Sequence, residues 1–262
     1  MKIVVCIKQV PANSGVSVDA VHGRPNWDSI EIAMNPFDTY ALEQGILLKE
    51  QHGGEAIALS AGPQSAQEVL REAISCGADS AILVVDDVFS ESDSWATSYI
   101  LSKAIEKIGD VDLVICGKQA VDGDTAQVGP GIAAHLGLAQ AAYVSVMNDS
   151  TDTKITVTRM IEEGSEICEI DLPAVISVVK DINSPRIPSL RSKMAAKKAE
   201  IPAWGAADIS VEPEKVGREG SPTKVIETRK ADVKARNTIV LDGEPGESAI
   251  RLAEELSNIV NR

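Results

Sequence analysis

A chain of 262 residues with 44% hydrophobic content can bury one large core, or a core plus an appendage. Three Trp, three Tyr and two Phe leave that core aliphatic and argue against an aromatic platform for single-stranded nucleic acid. The 39 acidic against 25 basic residues, a net charge of −14, disfavour any polyanionic partner, so no nucleic acid is expected.

Residues 3–7 read as a buried strand. Asn35-Pro36 then opens a helix: Asn caps it, and Pro suits the first helical position, where its missing N–H costs nothing. Glu55–Ala61 is the next strand, punctuated by Gly62-Pro63. Ala66, Val69, Leu70, Ala73 and Ile74 recur at helical spacing and Gly77 stops that helix. Residues 81–85 form a strand. A second helical stripe runs through Thr97, Ile100, Leu101, Ala104, Ile105 and Ile108 to Gly109. Leu113–Gly117 is a strand, and a loop rich in glycine and acid leads into a helix with Ile132, Ala133 and Leu136. This order predicts an α/β fold: a mostly parallel, Rossmann-like sheet with helices on both faces, whose ligands bind beyond the carboxyl ends of the strands.

After residue 140 the pattern changes. Residues 142–147, 154–160, 165–170 and 174–179 read as strands with short polar connections, expected to extend the sheet in antiparallel fashion. Pro185, Pro188, Pro202, Pro213 and Pro222 then break the chain, so residues 181–240 read as an arm crossing a surface, followed by a short helix over 247–258. The expected organisation is a nucleotide-binding domain over 1–180 and a C-terminal arm over 181–262.

The strongest local motif is Cys116-Gly117-Lys118-Gln119-Ala120-Val121-Asp122-Gly123-Asp124-Thr125-Ala126-Gln127-Val128-Gly129-Pro130. Gly117 and Gly123 permit close backbone approach, Asp124 or Thr125 can cap the following helix, and free amides at a helix start suit an anion. Asp122 and Asp124 sit awkwardly beside a phosphate; they suit ribose hydroxyls, or hold the loop's shape. The loop is neither a Walker A sequence nor GxGxxG, and an ordinary strand-to-helix turn with capping acids is the alternative. Asn35-Pro36-Phe37-Asp38 alone is a capped helix start, and Ala61-Gly62-Pro63 alone is a small-residue strand end that admits a flat ring. Together the strand ends at Cys6, Ala61 and Cys116 converge on one sheet edge, which favours a nucleotide site.

Residues 186–198 carry Arg186, Arg191, Lys193, Lys197 and Lys198 with no acid among them. Such a run is ordinarily a solvated face. Here Ile187, Leu190 and Met194 are embedded in it, and Leu190 and Met194 stand four apart as an apolar anchor pair in a basic rim, which suits protein docking. Cys6, Cys76, Cys116 and Cys168 are far apart, as are His22, His52 and His135, so no metal site is expected. No nucleophile–base pair can be proposed, and no GxSxG motif is present. No stretch of 18 apolar residues spans a membrane, and the first apolar run is too short for a secretory signal, so a cytoplasmic protein is expected.

Several of these segments carry a family resemblance: Val5-Cys6-Ile7-Lys8-Gln9-Val10-Pro11, Met34-Asn35-Pro36-Phe37-Asp38, Tyr40-Ala41-Leu42-Glu43, the 117–129 loop, Leu172-Pro173-Ala174-Val175, and Pro185-Arg186 through Met194-Ala195-Ala196-Lys197-Lys198. In this order, over essentially the whole length, the chain resembles the β subunit of electron transfer flavoproteins. The resemblance implies pairing with an α subunit that carries its own FAD, and an adenine nucleotide whose phosphates rest on residues 117–128. The implied contacts fall on Cys6, on Asn35, Pro36, Phe37 and Asp38, on Ala61, and on Gly117 through Val128. The resemblance also implies that the arm wraps the α subunit and that Leu190 sits where the family's recognition loop plugs into a dehydrogenase, with Arg186, Arg191, Lys193 and Met194 around it.

The family splits. Housekeeping members hold AMP in the β subunit. Electron-bifurcating members hold FAD there, which takes hydride from NADH and divides the electrons between the α-subunit flavin and ferredoxin or flavodoxin. Residues 122–130 resemble the bifurcating type; housekeeping members show an Asn-Gln-Thr-Gly run where this chain has Ala126-Gln127-Val128-Gly129. Residues 21–32, with His22, Arg24 and Trp27, depart from the family's usual hairpin. The segment from Trp204 to Ile209 is similar to the branch named for nitrogen fixation, whose members deliver electrons to quinone and to ferredoxin or flavodoxin. Acyl-CoA dehydrogenase, enoyl-CoA reductase and lactate dehydrogenase all stand as partners. Two readings from other classes are a non-redox nucleotide-binding module and an ATP-cleaving α/β enzyme; residues 8–15 fit the phosphate loop of the latter poorly.

Overall fold

A computed structural model describes residues 1–12, 17–18, 25–26, 31–226 and 238–260. Residues 1–228 form one compact unit and 229–262 a second. In the first, β1 (Lys2–Cys6) is followed by the short strands β2 (Gln9–Pro11), β3 (Ser17–Val18), β4 (Pro25–Asn26) and β5 (Ile32–Met34). Then come α1 (Pro36–His52), β6 (Glu55–Ala61), α2 (Gln67–Cys76), β7 (Ser80–Val84), α3 (Ser94–Ile108), β8 (Leu113–Gly117) and α4 (Val128–Leu136). The chain continues through β9 (Ala139–Ser150), β10 (Lys154–Ile161), β11 (Gly164–Asp171), β12 (Ala174–Val178), α5 (Leu190–Ala196) and β13 (Ala203–Trp204). The second unit contains α6 (Pro245–Val260), on which Leu252, Ala253, Leu256 and Ile259 recur at helical spacing. Of the departing segment, positions 21–24 and 27–30, with His22, Arg24 and Trp27, lie outside the described residues, as does 227–237 of the arm.

The main sheet has nine strands in the order β11-β10-β9-β12-β8-β1-β6-β7-β13. Pairing from β9 through β12, β8, β1, β6 and β7 to β13 is parallel, whereas β9-β10 and β10-β11 are antiparallel. The parallel strands are continuous apolar runs because both faces are covered. One face packs Ile3, Val5 and Ile115 against Leu42 and Ile46 of α1 and Leu70 of α2. The other packs Val4, Leu59 and Val114 against Ile100 and Ile105 of α3 and Ile132 of α4. Gly45 lets α1 lie close on β1; a Cβ there would meet Val5 Cγ2 at 2.7 Å. The expected mostly parallel α/β sheet, with antiparallel strands added after residue 140, is what forms.

One expectation is corrected. The strand at 174–179 is not antiparallel: β12 inserts between β9 and β8 and runs parallel to both. All five of its residues are buried. That continuous burial marks a central, doubly covered strand, in contrast to β10, where buried Ile155 and Val157 alternate with more accessible neighbours. The arm is anchored as well as superficial: β13 pairs with β7, and Ile209 and Val216 are buried in the second core cluster. No helix among the described residues is long and apolar enough to cross a membrane.

Candidate functional site

Cys6 of β1 is in register with Leu59 of β6 and with Cys116 of β8, so three strands end together. Above them sits the N-terminus of α1, with Pro36 in its first turn. The backbone of Asn35 begins the helix, its carbonyl accepting from Asp38 N at 2.9 Å, but its side chain makes no capping bond. Instead Asn35 Nδ2 donates to Asp38 Oδ1 and to Gln119 O, both at 2.9 Å, while Asn35 Oδ1 accepts from Val121 N at 3.1 Å. The expected cap is thus a stitch: a side chain only 1% exposed ties α1 to the loop after β8.

Asp38 completes this stitch. Its Oδ2 accepts from Lys8 N at 2.7 Å, and Gly117 N also donates to the carboxyl. Burial pushes the Asp38 carboxyl up to about 7, against the opposing pull of these hydrogen bonds. Gly117 is required by contact: a Cβ there would stand 2.2 Å from Asp38 Oδ1 and 2.8 Å from both Phe37 C and Phe37 Cβ. Gly123 is the opposite case, with no atom within 4 Å of the position its Cβ would take.

The loop between is held by its own acids. Asp122 pairs with Lys8 Nζ through both oxygens, at 2.8 and 2.7 Å, and Asp124 Oδ1 accepts from Gln119 Nε2. Of the roles open to these acids, holding the loop's shape is the one the geometry shows. The expected cap by Asp124 or Thr125 is corrected: α4 begins after Gln127 with no side-chain cap, and Gln127 Oε1 accepts from Ser94 Oγ at 2.7 Å. Asp124 and Ala126 adopt φ of 53° and 56°, uncommon without glycine. Ala126 is followed by right-handed Gln127 (φ −102°, ψ −21°). Left- and right-handed residues in succession turn consecutive amides toward one side, the geometry of a backbone anion nest. Within the described residues nothing accepts from the amides of Thr125, Ala126 or Gln127, and those of Val128 and Gly129 in the first turn of α4 are free as well. Pro130, next in that turn, has no N–H to leave unpaired.

Lys118 Nζ lies 5.9 Å from the Phe37 ring centroid and 5.4 Å from that of Tyr143, and pairs with no carboxylate among the described residues. It is therefore a cation available to an anion at this edge. Cys6 and Cys116 turn their side chains into the second core cluster, where the hydrogen bond that the Cys116 thiol gives to Cys6, together with burial, pushes the Cys116 thiol up. Ala61 ends β6 beside them. Among the described residues no group of three or more His, Cys, Asp or Glu is placed to hold a metal. Sequence reasoning missed Lys8 and Tyr143 as parts of this edge. Lys8 lies inside the motif of residues 5–11, whereas Tyr143 gives no local signal.

Among the described residues, the basic segment makes its hydrogen bonds and ion pairs with α1 and α2 rather than with the 117–128 loop. Ile187, Leu190 and Met194 are 91%, 76% and 61% exposed. Leu190 and Met194 both lie on α5, where Arg191 and Lys193 also sit. Arg186, just before, pairs with Glu43 at 2.9 Å and with Glu50 at 2.7 Å, both on α1.

A family model for the electron transfer flavoprotein domain matches residues 28–209. The chain is 38% identical over 240 residues to an electron transfer flavoprotein subunit beta of Clostridium acetobutylicum, covering 92% of each. It is 41% identical to protein FixA of Azorhizobium caulinodans, covering 92% of this chain and 89% of that protein. It is also 38% identical, over 98% of each, to the caffeyl-CoA reductase-Etf complex subunit CarD of Acetobacterium woodii. Matched over most of its length by the domain model and by these relatives, the chain belongs to the electron transfer flavoprotein family, among its β subunits.

Proposed function

We propose that this chain is the β subunit of an electron-bifurcating electron transfer flavoprotein, holding FAD on residues 117–128 and receiving electrons from NADH. When bound, FAD supplies a ring that takes hydride from NADH and releases the two electrons one at a time. The observation that carries the reading is the nest at Ala126-Gln127 beside the open Gly123 and the free amides of α4: a cradle for a pyrophosphate whose own acids are already engaged. Lys118 adds positive charge, while Asn35 and Asp38 fix the cradle against α1. The loop sequence over 122–130 supports FAD rather than AMP, and a relative named for a caffeyl-CoA reductase complex supports a reductase partner of acyl-CoA type. The proposed acceptors are an α subunit with its own FAD, a flavin dehydrogenase of acyl-CoA, enoyl-CoA or lactate type, and ferredoxin or flavodoxin. Residues 1–180 form the flavin-binding part and 181–262 the arm toward the α subunit, in a cytoplasmic complex.

Stopped-flow mixing of the αβ pair with NADH tests the donor: flavin absorbance is expected to bleach without any dehydrogenase present, and a pair that only a reduced dehydrogenase can bleach contradicts the reading. Gly123→Val tests the loop. Because a Cβ at 123 has no protein atom within 4 Å, the variant is expected to fold with wild-type stability yet lose the β flavin and keep the α flavin. Full flavin content in Gly123→Val overturns the assignment.

The exposed Leu190 is the proposed dehydrogenase anchor, with Met194 beside it and Arg191, Lys193, Lys197 and Lys198 as a basic rim. Burying one leucine is worth roughly 1.5–3 kcal/mol, or about ten- to a hundredfold in affinity. Leu190→Ala is expected to weaken electron transfer to the dehydrogenase by that factor, with flavin content and NADH bleaching unchanged. A weakened αβ pair with normal dehydrogenase turnover would assign the segment to the α subunit instead.

A further inference from the structure

The proposed docking helix has no obvious reason to be folded. α5 has seven residues, well short of the roughly 12–15 at which an isolated helix becomes even marginal in water. Ala196 is its single buried residue, and its large apolar side chains face out. Its packing on α2 buries little apolar side chain, so the hydrogen bonds at its ends add to what holds it. Ser189 caps the start, accepting from Ser192 N at 3.1 Å. At the other end, Arg71 of α2 donates through Nη1 to Ala199 O at 2.8 Å and Ala196 O at 3.1 Å, with Lys197 O at 3.4 Å. Ala196 O also accepts from Ala199 N at 3.2 Å, so the guanidinium does not replace a missing donor: it adds charge-assisted bonds at the partially negative helix end and ties that turn to α2.

Arg186 does the corresponding work before the helix. Its guanidinium spans Glu43 and Glu50, and its own N–H donates to Glu43 Oε2 at 3.1 Å. The Glu43 side chain is 7% exposed, so this pair is nearly desolvated on one side and cannot be broken cheaply. Asn183 Nδ2 adds a bond to Tyr40 O at 3.0 Å.

We propose that Arg186 and Arg71 are positioning residues that clamp the two ends of the 186–199 segment onto α1 and α2, so that Leu190 and Met194 are presented on a preformed helix. This rests on the reading of Leu190 as the docking anchor. It makes Arg186 a pin beneath the segment, with its charge spent on Glu43 and Glu50, and leaves Arg191, Lys193, Lys197 and Lys198 to meet the partner. A preformed element avoids the ordering cost that a floppy loop incurs on binding, so the clamps act on affinity without touching the partner.

Amide hydrogen exchange on the flavin-loaded αβ pair reads the clamp directly, and trypsin, which cuts after Arg191, Lys193, Lys197 and Lys198 once the helix opens, reads it independently. Losing charge-assisted hydrogen bonds at a helix end is expected to speed exchange at residues 193–199 roughly ten- to a hundredfold in Arg71→Ala. Arg71→Lys, which keeps the charge but not the fork, should fall between it and the wild type. Leu190→Ala should exchange like the wild type. NADH bleaching should be the same in all. Affinity is measured with whichever acyl-CoA, enoyl-CoA or lactate-type flavin dehydrogenase exchanges electrons fastest with the wild-type pair; it should weaken in both Arg71→Ala and Leu190→Ala. Unchanged exchange in Arg71→Ala overturns the clamp. Faster exchange with undiminished affinity, while Leu190→Ala does weaken binding, overturns its positioning role. Faster exchange with Leu190→Ala binding normally supports the clamp and removes the docking reading instead.

Discussion

Gly117→Ala is expected to unfold at lower denaturant and to purify without nucleotide. The added Cβ would lie 2.2 Å from Asp38 Oδ1 and 2.8 Å from the Phe37 backbone, so the N-terminus of α1 must move away from the end of β8. That movement breaks bonds made across it: Asp38 to Lys8 N at 2.7 Å and Asn35 to Gln119 O at 2.9 Å. Overpacking of this kind costs about 1–3 kcal/mol, and each lost hydrogen bond about 1 kcal/mol more. Urea unfolding of Gly117→Ala beside Gly123→Val separates fold from ligand. The first should lose both stability and nucleotide, the second nucleotide alone. A Gly117→Ala protein with wild-type midpoint and full nucleotide content would show that the approach of α1 to the strand end is not what the site depends on.

Asp38→Ala is expected to have an effect of the same order or larger. The carboxyl receives Lys8 N, Gly117 N and Asn35 Nδ2, and its removal leaves these buried donors without their acceptor. At about 1–3 kcal/mol for each unsatisfied buried group, the loss is roughly 3 kcal/mol or more. A gentler probe is pH. Asp38 titrates at about 7 in the fold, against roughly 3.9 in an unfolded chain. Between those values the native state keeps a proton that the unfolded state has lost. The Asp38 contribution to stability is therefore fullest below about pH 4, falls as pH rises through the window, and levels off above about 7. One proton corresponds to about 1.4 kcal/mol per pH unit. Urea midpoints at about pH 5 and 7.5 should fall more steeply for the wild type than for Asp38→Asn, which cannot titrate; parallel profiles would place the Asp38 carboxyl in its ordinary range.

The main architecture is legible because β1, β6 and β8 are continuous apolar runs and α2 and α3 carry clear helical stripes, all local signals. The position of β12 is not local. Its residues announce a buried strand, but nothing near them says that the chain returns to insert between β8 and β9. The site shows the same division. Gly117, Asn35 and Asp38 are picked out by sequence, yet the role of Asn35 is misread, because Asn before Pro looks like a cap and the partners that take its side chain lie 84 and 86 residues away. Asp124 is misread for a related reason: a bond to Gln119 and a positive φ, neither visible in composition, turn it from the helix start. Arg71 gives no warning at all, since an arginine on an amphipathic helix is ordinarily just solvated surface.

The central claim is that the 117–128 cradle holds FAD in a β subunit that works from NADH. The most direct measurement is the nucleotide content of the purified αβ pair, released by denaturation and counted as FAD and AMP per heterodimer. The account predicts two FAD and no AMP, with one FAD lost in Gly123→Val. One FAD with one AMP would contradict it and make this chain a housekeeping β subunit, in which the same cradle holds a nucleotide that takes no part in electron transfer.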